Sequence, residues 1–99
     1  MALSDEALER ELATDLRTLG NDLIRDDEFY WELYKSVAGV PWAHEGGHIA
    51  LSWKRAETLL NQLRAEHDKP ALKLARSGGE GEISPRVVDA LGPLGWTPA

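Results

Sequence analysis

Apolar positions in the first part of the chain recur every three or four residues. Leu8, Leu12, Leu16 and Leu19 form a stripe with Glu9, Arg10, Asp15 and Arg17 between them, which predicts an amphipathic helix. Ser4-Asp5-Glu6 supplies a capping hydroxyl and first-turn acids. Gly20-Asn21 offers a stop, while Leu23 and Ile24 extend the stripe by a turn if the helix runs on. A second helix is expected after Asp26-Asp27, with Phe29, Tyr30, Leu33, Tyr34 and Val37 at helical spacing and Gly39 just past its end. Its core face takes Phe29, Leu33 and Val37, leaving Trp31 or Tyr34 half exposed. A third helix follows Ser52, from Trp53 to about Glu66, with Trp53, Ala56, Leu59, Leu60 and Leu63 inward and Lys54, Arg55, Glu57, Gln62 and Arg64 outward. Residues 71–76 alternate weakly and predict a short strand with Leu72 and Leu74 inward. Residues 77–82 are expected to form a flexible loop. Ser84-Pro85 opens a short helix packed through Val87, Val88 and Leu91 and stopped by Gly92-Pro93. Leu94 and Trp96 fold back on the core, and residues 97–99 fray.

Between the second and third helices lies Val40-Pro41-Trp42-Ala43-His44-Glu45-Gly46-Gly47-His48-Ile49-Ala50-Leu51, which fits two incompatible patterns. In the first, Gly46-Gly47 is the two-residue loop of a β-hairpin, since glycines accept the positive φ angles of the primed turns. Glu45 then faces His48, His44 faces Ile49 and Trp42 faces Leu51. Val40, Trp42, His44, Ile49 and Leu51 share one face, and Ala43, Glu45, His48 and Ala50 the other. In the second, His44-Glu45-Gly46-Gly47-His48 is a helical H-E-x-x-H. Residues four apart lie on one face of a helix, so His44 and His48 would bind zinc with Glu66 or His67, and Glu45 would be the general base. Two glycines inside a helix cost roughly 2 kcal/mol relative to alanine, and they loosen the turn that must hold both ligands. The hairpin is the preferred pattern, with no catalytic residue and no metal; zinc and the Glu45 base remain the alternative.

The expected fold class is therefore α+β: two N-terminal helices, a β-hairpin, a helix, a third strand and a short C-terminal helix around a small three-stranded sheet. Ninety-nine residues, 42% of them hydrophobic and 28% charged, suit one domain spanning 1–99. The absence of cysteine excludes disulfides and thiolate zinc sites and fits a reducing compartment. There is no apolar run long enough to span a bilayer and no basic signal-peptide start. A cytoplasmic location without membrane contact is expected.

Charge is unevenly placed. Residues 1–32 hold ten acids and three bases, a balance of −7, and residues 33–99 hold seven acids and eight bases, a balance of +1. Such a balance argues against direct nucleic-acid binding, which needs clustered cations, and favours attraction to a basic partner surface. Mimicry of a nucleic acid by Asp5, Glu6, Glu9, Asp15, Asp22, Asp26, Asp27 and Glu28 is a further reading, although Arg10, Arg17 and Arg25 interrupt the series.

Two resemblances follow from these residues. His44, Glu45 and His48, with Glu66 and His67 downstream, resemble the gluzincin metallopeptidases, which implies a minimal zinc peptidase. Glu28-Phe29-Tyr30 with Leu33-Tyr34, Trp42-Ala43-His44, Ser52-Trp53-Lys54-Arg55-Ala56, Glu80-Gly81-Glu82-Ile83-Ser84-Pro85 and Leu94-Gly95-Trp96 look like small uncharacterised proteins of actinobacteria and their phages, over residues 26–96. That second resemblance carries no function with it. The function expected from the sequence is a small acidic, non-catalytic protein-binding module, phage-encoded or bacterial, that modulates a host target. Its expected contact residues are Trp31, Tyr34, Asp22, Asp26 and Asp27, and the same surface would serve a homodimer.

Overall fold

The computed structural model describes residues 3–73 and 83–99. The chain forms α1 (Asp5–Leu23), α2 (Asp27–Val37), β1 (Pro41–His44), β2 (Gly47–Ala50), α3 (Trp53–Glu66), α4 (Pro85–Leu91), a 3-10 turn (Gly92–Leu94) and β3 (Thr97–Pro98). The three strands make one antiparallel sheet in the order β2-β1-β3. The α+β class read from the sequence is the class observed. No helix among the described residues is long and apolar enough to cross a membrane.

Local signals set most boundaries. The Ser4, Asp26 and Ser52 side chains accept from the backbone N–H groups of Ala7, Phe29 and Arg55, three residues on, satisfying donors that a helix start leaves without partners. Gly39 ends α2 in the left-handed region at φ 72°, where glycine has no steric penalty, and its N–H donates to Leu51 O. The stop expected at Gly20 is not used; α1 runs through to Leu23. Gly20 is instead a point of close approach. A Cβ there would lie 2.6 Å from Leu63 Cδ2 and 2.9 Å from the Tyr30 hydroxyl, which donates to Gly20 O at 3.1 Å.

The sheet and helices enclose one buried cluster. Leu8, Leu12 and Leu16 of α1 meet Trp42, Ile49 and Leu51 from the hairpin, Leu33 and Val37 from α2, Leu60 from α3, and Val87, Leu91 and Trp96 from the C-terminal part. Trp42 lies on the central strand, opposite Ile49 on one side and Pro98 on the other.

The third strand is not where alternation placed it. Residues 71–73 form no strand, and residues 74–82, including the rest of that segment and the expected flexible loop, lie outside the described residues. The Leu72 backbone is satisfied by one side chain: its N–H donates to Asn61 Oδ1 at 2.9 Å, and its carbonyl accepts from Asn61 Nδ2 at 3.0 Å. With both groups bonded, that residue needs no strand partner. The sheet is completed by Thr97–Pro98, which had been expected to fray. Trp96 is buried and donates from Nε1 to Asp15 Oδ2 at 2.5 Å, so the residues after it are laid beside β1, and Ala99 N donates to Pro41 O at 3.0 Å.

Candidate functional site

The His44–His48 stretch is a hairpin. Its register pairs Pro41 with Ala50, Trp42 with Ile49, Ala43 with His48 and His44 with Gly47, so the loop is Glu45-Gly46, one position earlier than Gly46-Gly47. Gly47, at φ 147°, becomes the first residue of β2. Moving a two-residue loop by one position shifts every pairing by two residues, and a shift of two preserves the faces of a pleated strand. Val40, Trp42, His44, Ile49 and Leu51 therefore share one face as expected, although the expected partners were wrong. Leu51 is drawn away from Trp42 because it bridges to Ala38.

This geometry does not bring together the residues of the zinc reading. His44 points inward with its side chain 13% exposed, and His48 is exposed on the opposite face. Glu45 is exposed in the loop, Glu66 is bonded to Arg17 at 2.9 Å, and His67 caps the end of α3. Among the described residues no group of three or more His, Asp or Glu side chains has metal-holding geometry. A calorimetric titration with zinc is expected to show no one-to-one binding, and His44→Ala and His48→Ala are expected to give the same featureless trace as the wild type. Tight stoichiometric binding lost in both variants would contradict the hairpin.

His44 joins three elements. Its ring stacks on Trp96 with centroids 4.4 Å apart and planes tilted by 38°. Its Nδ1 is 3.5 Å from Glu11 Oε2 on α1. Both atoms are buried, and neither has a hydrogen-bond partner. Asp15, one helical turn beyond Glu11, accepts from the Trp96 indole. Gly95, at φ 93°, lies against the other side of the imidazole, where a Cβ would sit 3.2 Å from Nε2. The i, i+4 spacing of Glu11 and Asp15 was visible in the sequence; their partners, distant along the chain, were not.

The residues expected to form a protein-binding surface are divided by the structure. Tyr34 is 0% exposed and its hydroxyl donates to Asn61 Oδ1, so it belongs to the core and not to a surface. Burial pushes that hydroxyl up to about 12, which keeps it protonated as a donor. Asp26 caps α2 and pairs with Arg86. The Phe29 N–H, with the Arg86 guanidinium second, lowers its carboxyl from the ordinary value. Asp27 pairs with the buried Arg64 at 3.1 Å. Asp22 is exposed beside the α1–α2 connection, and Trp31 is half-buried with Lys35 Nζ 6.0 Å from its ring centroid. Of the five expected residues, Trp31 packs against the rim of the core while keeping part of its surface open, and Asp22 is the one left without a structural task that the fold explains. A groove adjoining α2 is lined by Glu32, Lys35, Ser36, Ile83, Ser84 and Pro85. Within it Ser84 Oγ donates to Glu32 Oε2 at 3.1 Å, and Ser84 N donates to Ser36 Oγ at 2.9 Å.

Comparison with protein-family models, with curated proteins and with solved structures finds no match to this chain.

Proposed function

We propose that the chain is a small protein-binding module that acts without catalysis, and that its contact surface is the outer face of α2 around Trp31. The observation that carries this reading is the partial exposure of Trp31, a ring that is otherwise packed against the core. Phe29, Tyr30, Tyr34, Trp42 and Trp96 are buried, whereas Trp31 on α2 and Trp53 on α3 are only partly buried; of the two, Trp31 lies on the acidic N-terminal third of the chain. Glu28 and Lys35 lie on its face of the helix, three residues before it and four after. A large aromatic ring bordered by charge is the kind of anchor on which binding energy concentrates. Asp22 and Glu28 are exposed carboxylates on α1 and α2, and they favour a partner with a basic surface.

The test is capture of partners from a bacterial lysate by the wild type, by Trp31→Ala and by the charge reversals Asp22→Lys and Glu28→Lys. The wild-type partner is expected to bind Trp31→Ala about 30-fold more weakly or worse, the loss typical of a hot-spot residue. Light scattering distinguishes self-association from a foreign partner. Undiminished binding to Trp31→Ala, in a variant that still melts cooperatively, would overturn the proposed surface.

A further inference from the structure

We propose that the outer edge of β2 is a second binding site, which takes an extended polypeptide segment carrying a basic side chain as a further strand of the sheet. The site lies on β2, α1 and α3 and does not rest on the reading of Trp31. The two edges of the sheet differ. Pro41 O accepts from Ala99 N at 3.0 Å, so Pro41, and Ala43 two residues on, turn their backbone groups towards β3. Trp42 and His44 turn theirs towards β2, where their partners are Ile49 and Gly47. His48 and Ala50 therefore turn their N–H and C=O groups away from the sheet. On β3 the residue turned outward is Pro98, opposite Trp42. It has no N–H to offer, and proline is a common guard of a sheet edge. β2 has no such guard. Gly47-His48-Ile49-Ala50 holds no proline and no Asp, Glu, Lys or Arg, and His48 and Ala50 are exposed. Among the described residues no hydrogen bond engages the outward backbone groups of either. A row of exposed donors and acceptors at strand spacing is a template for another strand. At the loop end the chain's own Leu3 N donates to Gly46 O at 2.6 Å, which leaves the length from His48 to Ala50 for an incoming segment.

Alternation fixes what the segment presents. In an antiparallel pairing two of its residues bond to His48 and Ala50. The residue between them lies opposite Ile49 and points to the same face of the sheet. That face is the one packed against Leu8 and Leu12 of α1. A groove of about 320 Å³ lies there beside the end of β2, lined by Ala50 and Leu51, by Asp5 and Glu9 of α1 and by Arg55 of α3. Glu9 is paired with Arg55, so those two charges offset one another. Asp5 is exposed and has no ion-pair partner among the described residues, and the adjacent Glu6 is exposed as well. The charge left over for the middle side chain is negative, which selects Lys or Arg. A second copy of this chain suits the edge less well. A symmetric pairing of two β2 strands sets Ile49 opposite Ile49, a side chain already buried within its own chain, and it brings no cation to Asp5.

The test selects binders to the wild-type chain from a randomised heptapeptide library displayed on yeast. The expected peptides carry Lys or Arg at one fixed position with Val, Ile or Thr on either side. Titration with a selected peptide is expected to move the NMR signals of the His48 and Ala50 amides and to slow their exchange about tenfold. Ala50→Pro removes an outward donor and no bond to β1, so it should fold, and it is expected to bind about tenfold more weakly or worse. Asp5→Asn is expected to lose about threefold or more, with a smaller loss at high salt, and Trp31→Ala to bind as the wild type does. Methylating the two peptide nitrogens that face β2 is expected to abolish binding with the protein unaltered, which decides the matter should Ala50→Pro fail to fold. A library that yields no binder overturns the site. So do binders undiminished by Ala50→Pro or by methylation, and binders with no preference for a cation. A dimer of the chain alone, seen by light scattering and dissolved by Ala50→Pro, would assign the edge to a second copy and overturn the basic segment as its occupant.

Discussion

Trp42→Ala will destabilise the fold by about 3–5 kcal/mol, the range for removing a buried tryptophan side chain. Trp42 is 1% exposed, and its loss leaves a cavity where β1, β2 and β3 meet α1 and α2. A chain of this size is stable by roughly 5–15 kcal/mol in all, so the variant will be close to unfolding at physiological temperature. Part of the cost is polar. Trp42 Nε1 donates to Ser36 O at 2.9 Å, and that carbonyl belongs to the last turn of α2, where backbone acceptors have no helical partner. Trp42→Phe isolates this component, because it keeps most of the apolar contact and removes the donor. It should cost about 1–3 kcal/mol, the penalty for a buried acceptor left without its bond. Urea unfolding checks both variants: the midpoint should fall, and the slope should stay that of the wild type. A Trp42→Phe variant as stable as the wild type would show that the Ser36 carbonyl finds another donor.

Trp42 also illustrates which features were legible in the sequence and which were not. Alternation alone put it on the inner face of a hairpin, because side-chain period in a strand is a local property. The register was not legible, since Glu45-Gly46 and Gly46-Gly47 are both acceptable two-residue loops. The choice is made by Leu51, which is drawn to Ala38 and Gly39 at the end of α2. The helix starts at Asp26 and Ser52 were legible for the same local reason. Strand β3 has two residues and one of them is proline; no periodicity is visible over that length, and its position follows from the anchoring of Trp96. Tyr34 was misplaced because a phenol suits a half-exposed site as well as a buried one. Its burial depends on Asn61, which also holds the Leu72 backbone.

The uneven charge acquires a different meaning in the folded chain. Glu9 pairs with Arg55, Asp26 with Arg86, and Asp27 with Arg64 and Lys69. The acidic first third thus binds bases from the rest of the chain, and much of the −7 balance serves internal docking. Four of the eight carboxylates considered for nucleic-acid mimicry, Glu9, Asp15, Asp26 and Asp27, are engaged within the fold. The exposed carboxylates beside Trp31 are correspondingly few, which concentrates the proposed partner contact on the aromatic ring.

Arg64→Ala will cost about 3 kcal/mol, although the residue reads as an outward-facing charge on α3. Its position one turn after Leu60 places it on the apolar face, and it is 1% exposed. Nε donates to Pro70 O at 2.7 Å, Nη1 donates to Asp27 Oδ1 at 3.1 Å, and the guanidinium carbon lies 5.4 Å from the Tyr30 ring centroid. The backbone cooperates. Arg64 O accepts from His67 N and Lys69 N, and Asp68 takes the left-handed conformation at φ 58°, which aspartate tolerates better than most residues. The chain therefore turns sharply after α3 and brings the Pro70 carbonyl to the guanidinium of the helix it has just left. Arg64→Lys should lose roughly 2 kcal/mol despite keeping the charge, because an ammonium cannot reproduce the planar fork that reaches Pro70 and Asp27 together. Asp27→Asn should lose about 1 kcal/mol or less, since Asp27 is 63% exposed and water screens the pair. The order Ala, Lys, Asn, measured by thermal and urea unfolding, separates a packed bridging role from a simple ion pair, in which Asp27→Asn would cost as much as Arg64→Ala. The same order governs how a binding surface on α2 is to be probed. Charge reversal at Asp27 places a cation against a buried guanidinium, and reversal at Asp26 removes a helix cap, so either variant weakens binding by weakening the fold. Trp31 and Asp22 serve in no such cap or buried ion pair among the described residues, and a loss of partner at those two positions, in variants that keep the wild-type stability, reports on the surface itself.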